Sequence, residues 1–117
     1  MTMKRGDVAL AWYPFSSRSG GKRRPCLVIQ NDIDNARLSN TIVVQITSNL
    51  RSRGQSTAHL IEASSAAGRQ SGLLHDSIVS CINVATIEQS LIATIIGSLP
   101  PEEMAAIEDG PGAAMEL

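Results

Sequence analysis

Aromatic side chains are scarce in this 117-residue chain: one Trp, one Tyr and one Phe, 3% in all. A core built on stacked rings is thereby excluded, and Val, Ile, Leu and Ala must fill the interior. Cysteine is nearly as sparse. Cys26 and Cys81 stand alone in apolar runs without C-x-x-C spacing. That excludes a disulfide framework and leaves two buried, reduced thiols as the expectation. His59 and His75 form no ligand-type pair with each other or with the cysteines, so neither a metal site nor another cofactor is expected. No window approaches the ~20 apolar residues of a membrane span. The apolar stretch 8–13 is short and stops at Pro14, which is not the pattern of a secretory leader. The expected setting is the cytoplasm, with no membrane partner. Ten basic and 11 acidic residues give a net charge of −1. This excludes a protein that coats nucleic acid by bulk charge, while leaving room for a local basic patch.

What is present is a series of short β-branched runs. Residues 7–13, 25–30, 41–47, 58–61 and 77–82 read as strands bounded by Gly, Asn, Asp or Ser clusters. In the first run, Val8, Leu10 and Trp12 point one way, which assigns Trp12 to the core. Residues 91–96 fit helix or strand by pattern. Their β-branched content and the Gly97 that follows favour strand. Residues 86–90 read as one helical turn capped by Thr86. Residues 31–40 and 63–72 read as polar loops. The clearest helix begins at Ser98-Leu-Pro-Pro-Glu-Glu103, with proline in the first turn and two carboxylates at the positive end of the dipole. Gly110-Pro111-Gly112 is expected to end or kink it, with the tail 110–117 continuing or fraying. About six strands and one terminal helix in a single domain over 1–117 predict a mainly β fold, a small, strongly bent, partly open barrel.

The charges are unevenly placed. Arg18, Lys22, Arg23 and Arg24 crowd one Ser/Gly loop, and Arg51 and Arg53 sit in another. Glu102, Glu103, Glu108, Asp109 and Glu116 gather near the C-terminus. Two such loops opening on one barrel end would make an anion-binding rim suited to bidentate phosphate contact. Taken alone, the same composition also fits two solvated loops. Arg24 differs from its neighbours because Pro25 follows it. Proline confines the preceding residue to extended backbone, which fixes Arg24 at a strand edge. Thr47 and Ser48 close the third run with two hydroxyls able to bond a phosphate.

Five pieces in order then resemble one family. They are Arg5-Gly-Asp-Val-Ala-Leu-Ala-Trp-Tyr-Pro-Phe, Arg24-Pro-Cys-Leu-Val-Ile-Gln-Asn-Asp, Thr41-Ile-Val-Val-Gln-Ile-Thr-Ser, Gly72-Leu-Leu-His-Asp-Ser-Ile-Val and Gly97-Ser-Leu-Pro-Pro-Glu-Glu-Met. Over residues 5–109 the chain resembles the MazF/PemK toxins, the mRNA interferases of toxin–antitoxin modules. The resemblance implies an SH3-like barrel of the CcdB/PemK type with a C-terminal helix, assembled as a homodimer. It implies a metal-independent endoribonuclease acting on single-stranded RNA at short motifs. It also implies a MazE-like antitoxin with a segment lying across the active groove. In the family, the arginine of the Arg-Pro motif and the threonine closing the third strand carry catalysis; those positions match Arg24 and Thr47. Some members carry a glutamate five residues before that arginine, where this chain has Ser19. The Gly-Pro-Gly near the C-terminus also departs from a family helix that usually runs on.

RNA supplies its own nucleophile, so the protein must stabilise charge and move protons. Arg24 is the expected stabiliser and Thr47 a donor to a non-bridging oxygen. With glutamate absent, His75 and Asp76 are the alternative proton carriers, and Asp76 equally fits a turn cap or a base contact. The products expected are a 2′,3′-cyclic phosphate and a 5′-OH. Tyr13 and Phe15 are the candidates for stacking on bases. Arg18, Lys22, Arg23, Ser48, Arg51, Arg53 and Ser77 are the remaining candidate RNA contacts. Two rival readings share this fold: a CcdB-like toxin that binds gyrase and cuts nothing, and a non-catalytic RNA-binding barrel.

Overall fold

The structure, a computed structural model, describes residues 2–12 and 22–116. Its strands are β1 (Asp7–Trp12), β2 (Arg23–Val28), β3 (Asn40–Thr47), β4 (Ala58–Ile61), β5 (Ser77–Glu88) and β6 (Ile92–Ser98). They form one antiparallel sheet in the order β4-β5-β3-β2-β1-β6. Helices α1 (Asp32–Arg37), α2 (Ala66–Ser71) and α3 (Pro101–Ile107) complete the fold. All five runs expected as strands are strands, and residues 92–98 settle the ambiguous run in favour of β6.

Strand alternation divides the core in two. Leu27 of β2 and Val44 and Ile46 of β3 join Val8, Ile61, Val79 and α3's Met104 and Ile107. Cys26 and Val28 face the other way, with Ala9, Ala11, Val43, Ile87 and Ile92. The central strands are therefore apolar on both faces, as a curled sheet requires. The curl is closed by backbone contact at glycine. Gly72, at φ +77°, ends α2 in the left-handed conformation that suits glycine. A Cβ there would lie 2.2 Å from the carbonyl oxygen of Ile96, and one on Gly97 would lie 2.4 Å from that of Gln70. Only two missing side chains let α2 lie against β6.

Four readings are corrected. Residues 31–40 hold α1, capped by Asn31, whose side chain accepts from the Asp34 N–H at 2.8 Å. Residues 63–72 hold α2, capped by Ser65 at one end and Gly72 at the other. Thr86 is not a helix cap: β5 continues to Glu88, and the turn begins at Gln89. Trp12 is not core. It lies at the end of β1, beyond the packed interior, 41% exposed, with the Arg23 guanidinium 5.8 Å from its ring centroid. That cation–π contact covers one face of the ring.

Helix α3 starts as expected, with Pro101 in its first turn and Glu102 and Glu103 beside it. It does not stop at Gly110. The chain widens into a π turn over Glu108–Gly112, with Pro111 and Gly112 buried. The wider turn accommodates a proline that lacks an N–H and would otherwise clash with the preceding turn. Arg5 pairs with Glu108 and pins this turn to the N-terminal segment. Among the described residues, no helix is long and apolar enough to cross a membrane.

Candidate active site

Arg24 and Thr47 belong to different strands, but the sheet aligns them. β2 and β3 pair Cys26 with Gln45, Leu27 with Val44 and Val28 with Val43. Carried two residues past its last pair, that register would set Arg24 opposite Thr47. Opposed residues in an antiparallel pair carry their Cβ atoms about 5 Å apart on one face. Both residues line a cleft of about 410 Å³ with Ser48, His75 and Ser77 at its polar side and Leu10, Pro25 and Ile96 beneath.

The hydrogen bonds around the cleft decide what each group has to offer. The Arg24 Nε atom is buried and, among the described residues, has no hydrogen-bond partner. A buried donor left unpaired costs about 1–3 kcal/mol, and the side chain that bears it lines the cleft. Thr47 Oγ1 accepts from the Asn49 N–H at 3.1 Å. That bond occupies a lone pair and leaves the hydroxyl proton free to donate. Ser77 is already committed: its hydroxyl donates to the His75 carbonyl oxygen at 2.8 Å, so it fixes the turn carrying His75. His75 itself is exposed at the cleft rim. Asp76 does not line the cleft. Its Oδ1 accepts from the Ala63 N–H at 2.8 Å, tying the His75 turn to the segment after β4.

A second groove, of about 370 Å³, lies alongside and shares Gln45 and Thr47 with the first. Arg51 and Asn83 line it. Arg51 stands in a 3₁₀ turn (Leu50–Ser52) that Asn49 caps. The cleft and this groove thus gather Arg24, Thr47, Ser48, His75, Ser77 and Arg51 from the expected set. Lys22, Arg23 and Arg53 are exposed and line neither. Tyr13, Phe15 and Arg18, with Ser19, lie outside the described residues. Sequence reasoning missed Gln45 and Asn49. A signal for Gln45 was available, since it is the one amide in the run Ile-Val-Val-Gln-Ile and alternates onto the face of Thr47.

Comparison with known proteins identifies the family and the fold. Residues 4–110 match the family model described as PemK-like, MazF-like toxin of type II toxin-antitoxin system. The chain is 32% identical over 110 residues to endoribonuclease EndoA of Bacillus subtilis (strain 168), covering 93% of this chain and 90% of that one. It superimposes on the Mycobacterium tuberculosis toxin MazF-mt6 with a TM-score of 0.74 at 27% identity, over 95% of this chain and 97% of the other. A mycobacterial endoribonuclease solved in complex with its cognate antitoxin has the same fold, with a TM-score of 0.71 at 19% identity, over 99% and 95% of the two chains.

Proposed function

The chain belongs to the PemK-like, MazF-like toxins of type II toxin–antitoxin systems, and on that premise we propose that its Arg24–Thr47 cleft cuts single-stranded RNA. The observation that carries this reading is that the Arg24 side chain and a threonine hydroxyl, which already accepts one hydrogen bond, line a single cleft. Both residues carry donors and line that cleft. A scissile phosphodiester bound there gains most as its charge rises, which is the condition for lowering the barrier rather than merely binding.

The reaction needs no metal. His75 takes the proton of the 2′-OH, an exchange suited to imidazole near neutral pH. The oxygen attacks the adjacent phosphorus. Arg24 and Thr47 hold the non-bridging oxygens as the phosphorane forms. The 5′-oxygen leaves and takes a proton from solvent at the open mouth of the cleft. A 2′,3′-cyclic phosphate and a 5′-OH result. Ser48 and Arg51 steer the flanking phosphates, with Lys22, Arg23 and Arg53 adding a diffuse positive field.

The working unit in this reading is one domain over 1–117, acting in the cytoplasm as a homodimer. Val84, 42% exposed on β5, supplies an apolar position for the second copy. A MazE-like antitoxin restrains it by laying a segment across the cleft; a mycobacterial relative is solved in complex with its cognate antitoxin.

The test is a digest of mixed RNA with the pure protein, read by primer extension and end-group analysis. Discrete cuts ending in cyclic phosphate and 5′-OH are expected, and Arg24→Ala abolishes them. Intact RNA, or ends carrying 3′-OH and 5′-phosphate, overturns the proposal.

A further inference from the structure

Gln45 has a place in the fold that its neighbours lack. It lies two residues before Thr47 on β3, about 6.6 Å along the strand and on the same face. It lines both the Arg24–Thr47 cleft and the adjoining groove. The sheet is also irregular at this point. β3 pairs Val44 with Val84 and then Gln45 with Ser80, so residues 81–83 of β5 bulge out of the ladder. Bulges of this kind re-aim side chains and recur beside active sites. Asn83, within the bulge, lines the same groove as Gln45.

The polar groups around it are engaged elsewhere. Thr47 Oγ1 holds Asn49, and Asn83 donates to Ser80 Oγ at 3.0 Å. Among the described residues no hydrogen bond engages the Gln45 carboxamide. It is half-buried, planar, and offers one acceptor and one donor side by side. A phosphate asks only for donors, so half of that amide would be wasted on the backbone. A base edge presents a donor beside an acceptor, and glutamine matches adenine in particular. Single-stranded RNA exposes those edges.

We infer that Gln45 is a specificity residue: its carboxamide reads the edge of the base next to the cleaved phosphate, with adenine the best match. The inference rests on the ribonuclease reading above. It assigns the cut phosphate to the Arg24–Thr47 cleft and the neighbouring base to the adjoining groove. One residue thereby couples recognition to position, because the strand holding it also holds Thr47.

The experiment uses a pool of single-stranded RNAs randomised around the cut and sequenced after digestion. The unaltered protein is expected to favour adenine at one position adjoining the cut. Gln45→Glu removes the donor, and Gln45→Met removes both partners at similar volume. In each, the preference at that position falls by roughly tenfold, while preferences further away persist. Circular dichroism establishes that each variant is folded, and a variant that is not is replaced by Gln45→Ala. An unchanged motif in the folded variants, or a uniform loss of cutting at every sequence, overturns the inference. Failure of the unaltered protein to cut any RNA refutes the ribonuclease reading instead.

Discussion

Alanine at position 72 meets two separate costs. The backbone there is left-handed, at φ +77°, where a side chain costs about 1–2 kcal/mol. The new Cβ would also sit 2.2 Å from the Ile96 carbonyl oxygen, so α2 must lift from β6. Strain of that kind typically adds about 1–3 kcal/mol. Gly54 separates the two terms. Its φ is +91°, but nothing lies within 4 Å of its would-be Cβ, so only the backbone cost applies. Gly72→Ala is therefore expected to lose about 2–5 kcal/mol and Gly54→Ala about 1–2. At about 4 °C per kcal/mol, thermal melts distinguish the pair. Gly110→Ala supplies the opposite limit. It too has open space around its Cβ, with no left-handed backbone, and is expected to gain about 0.5 kcal/mol. Because Gly72 lines the Arg24 cleft, its variant also slows RNA cleavage below its melting temperature. Equal melting losses at positions 72 and 54 would refute the claim that glycine contact closes the sheet.

Further tests address single groups. Thr47→Val removes the proton offered to phosphate and is expected to slow cutting by ~10²–10³. Thr47→Ser keeps the hydroxyl and most of the rate; equal losses in single-turnover assays would count against the donor role. Asp76→Asn preserves an acceptor for the Ala63 N–H and is expected to cut RNA with an unaltered pH profile, whereas Asp76→Ala loses the tie. An inert Asp76→Asn would make the carboxylate a proton carrier instead. Burial pushes the Cys26 thiol up to about 12 from 9.0. The thiol therefore stays neutral in the folded protein while it ionises in the unfolded chain, and its contribution to stability, intact below pH 9, fades as pH rises toward 12. Ellman's reagent at pH 8 should label Cys26 only after denaturant is added, and Cys26→Val should flatten the alkaline loss of stability.

Much of the fold was legible because the strands carry their own signal. Val, Ile and Thr in short runs between turn residues marked five strands, and Pro100 and Pro101 marked the entry to α3. The missed helices lack any apolar stripe. α1 buries only Asn35, which is held by Gln30 and Thr41 through side-chain hydrogen bonds of 2.9 and 2.7 Å. Its stability comes from a polar network that no hydropathy pattern records. α2 is built of small residues, and its Ser65 and Gly72 caps were the only local clue. Trp12 misled because alternation gives a direction, not the depth of what lies in that direction. At the site, Arg24 and Thr47 were readable from their motifs. The roles of Ser77 and Asp76 were not, since each is set by one hydrogen bond that depends on tertiary placement. Gln45 was visible as the one amide on the face of Thr47, but the groove it shares with Asn83 depends on a bulge in a different strand.

The second half of β2 is gripped from above and below, by Leu27 on one side and by Cys26 and Val28 on the other. Sliding such a strand by a single residue would exchange its two sets of side chains between interiors already filled, so it has no easy mode of displacement. The guanidinium at its end is thus mounted on a stationary post. Changes in what this molecule cuts would then have to arise in the surrounding walls and turns, where residues can be traded without disturbing the reagent.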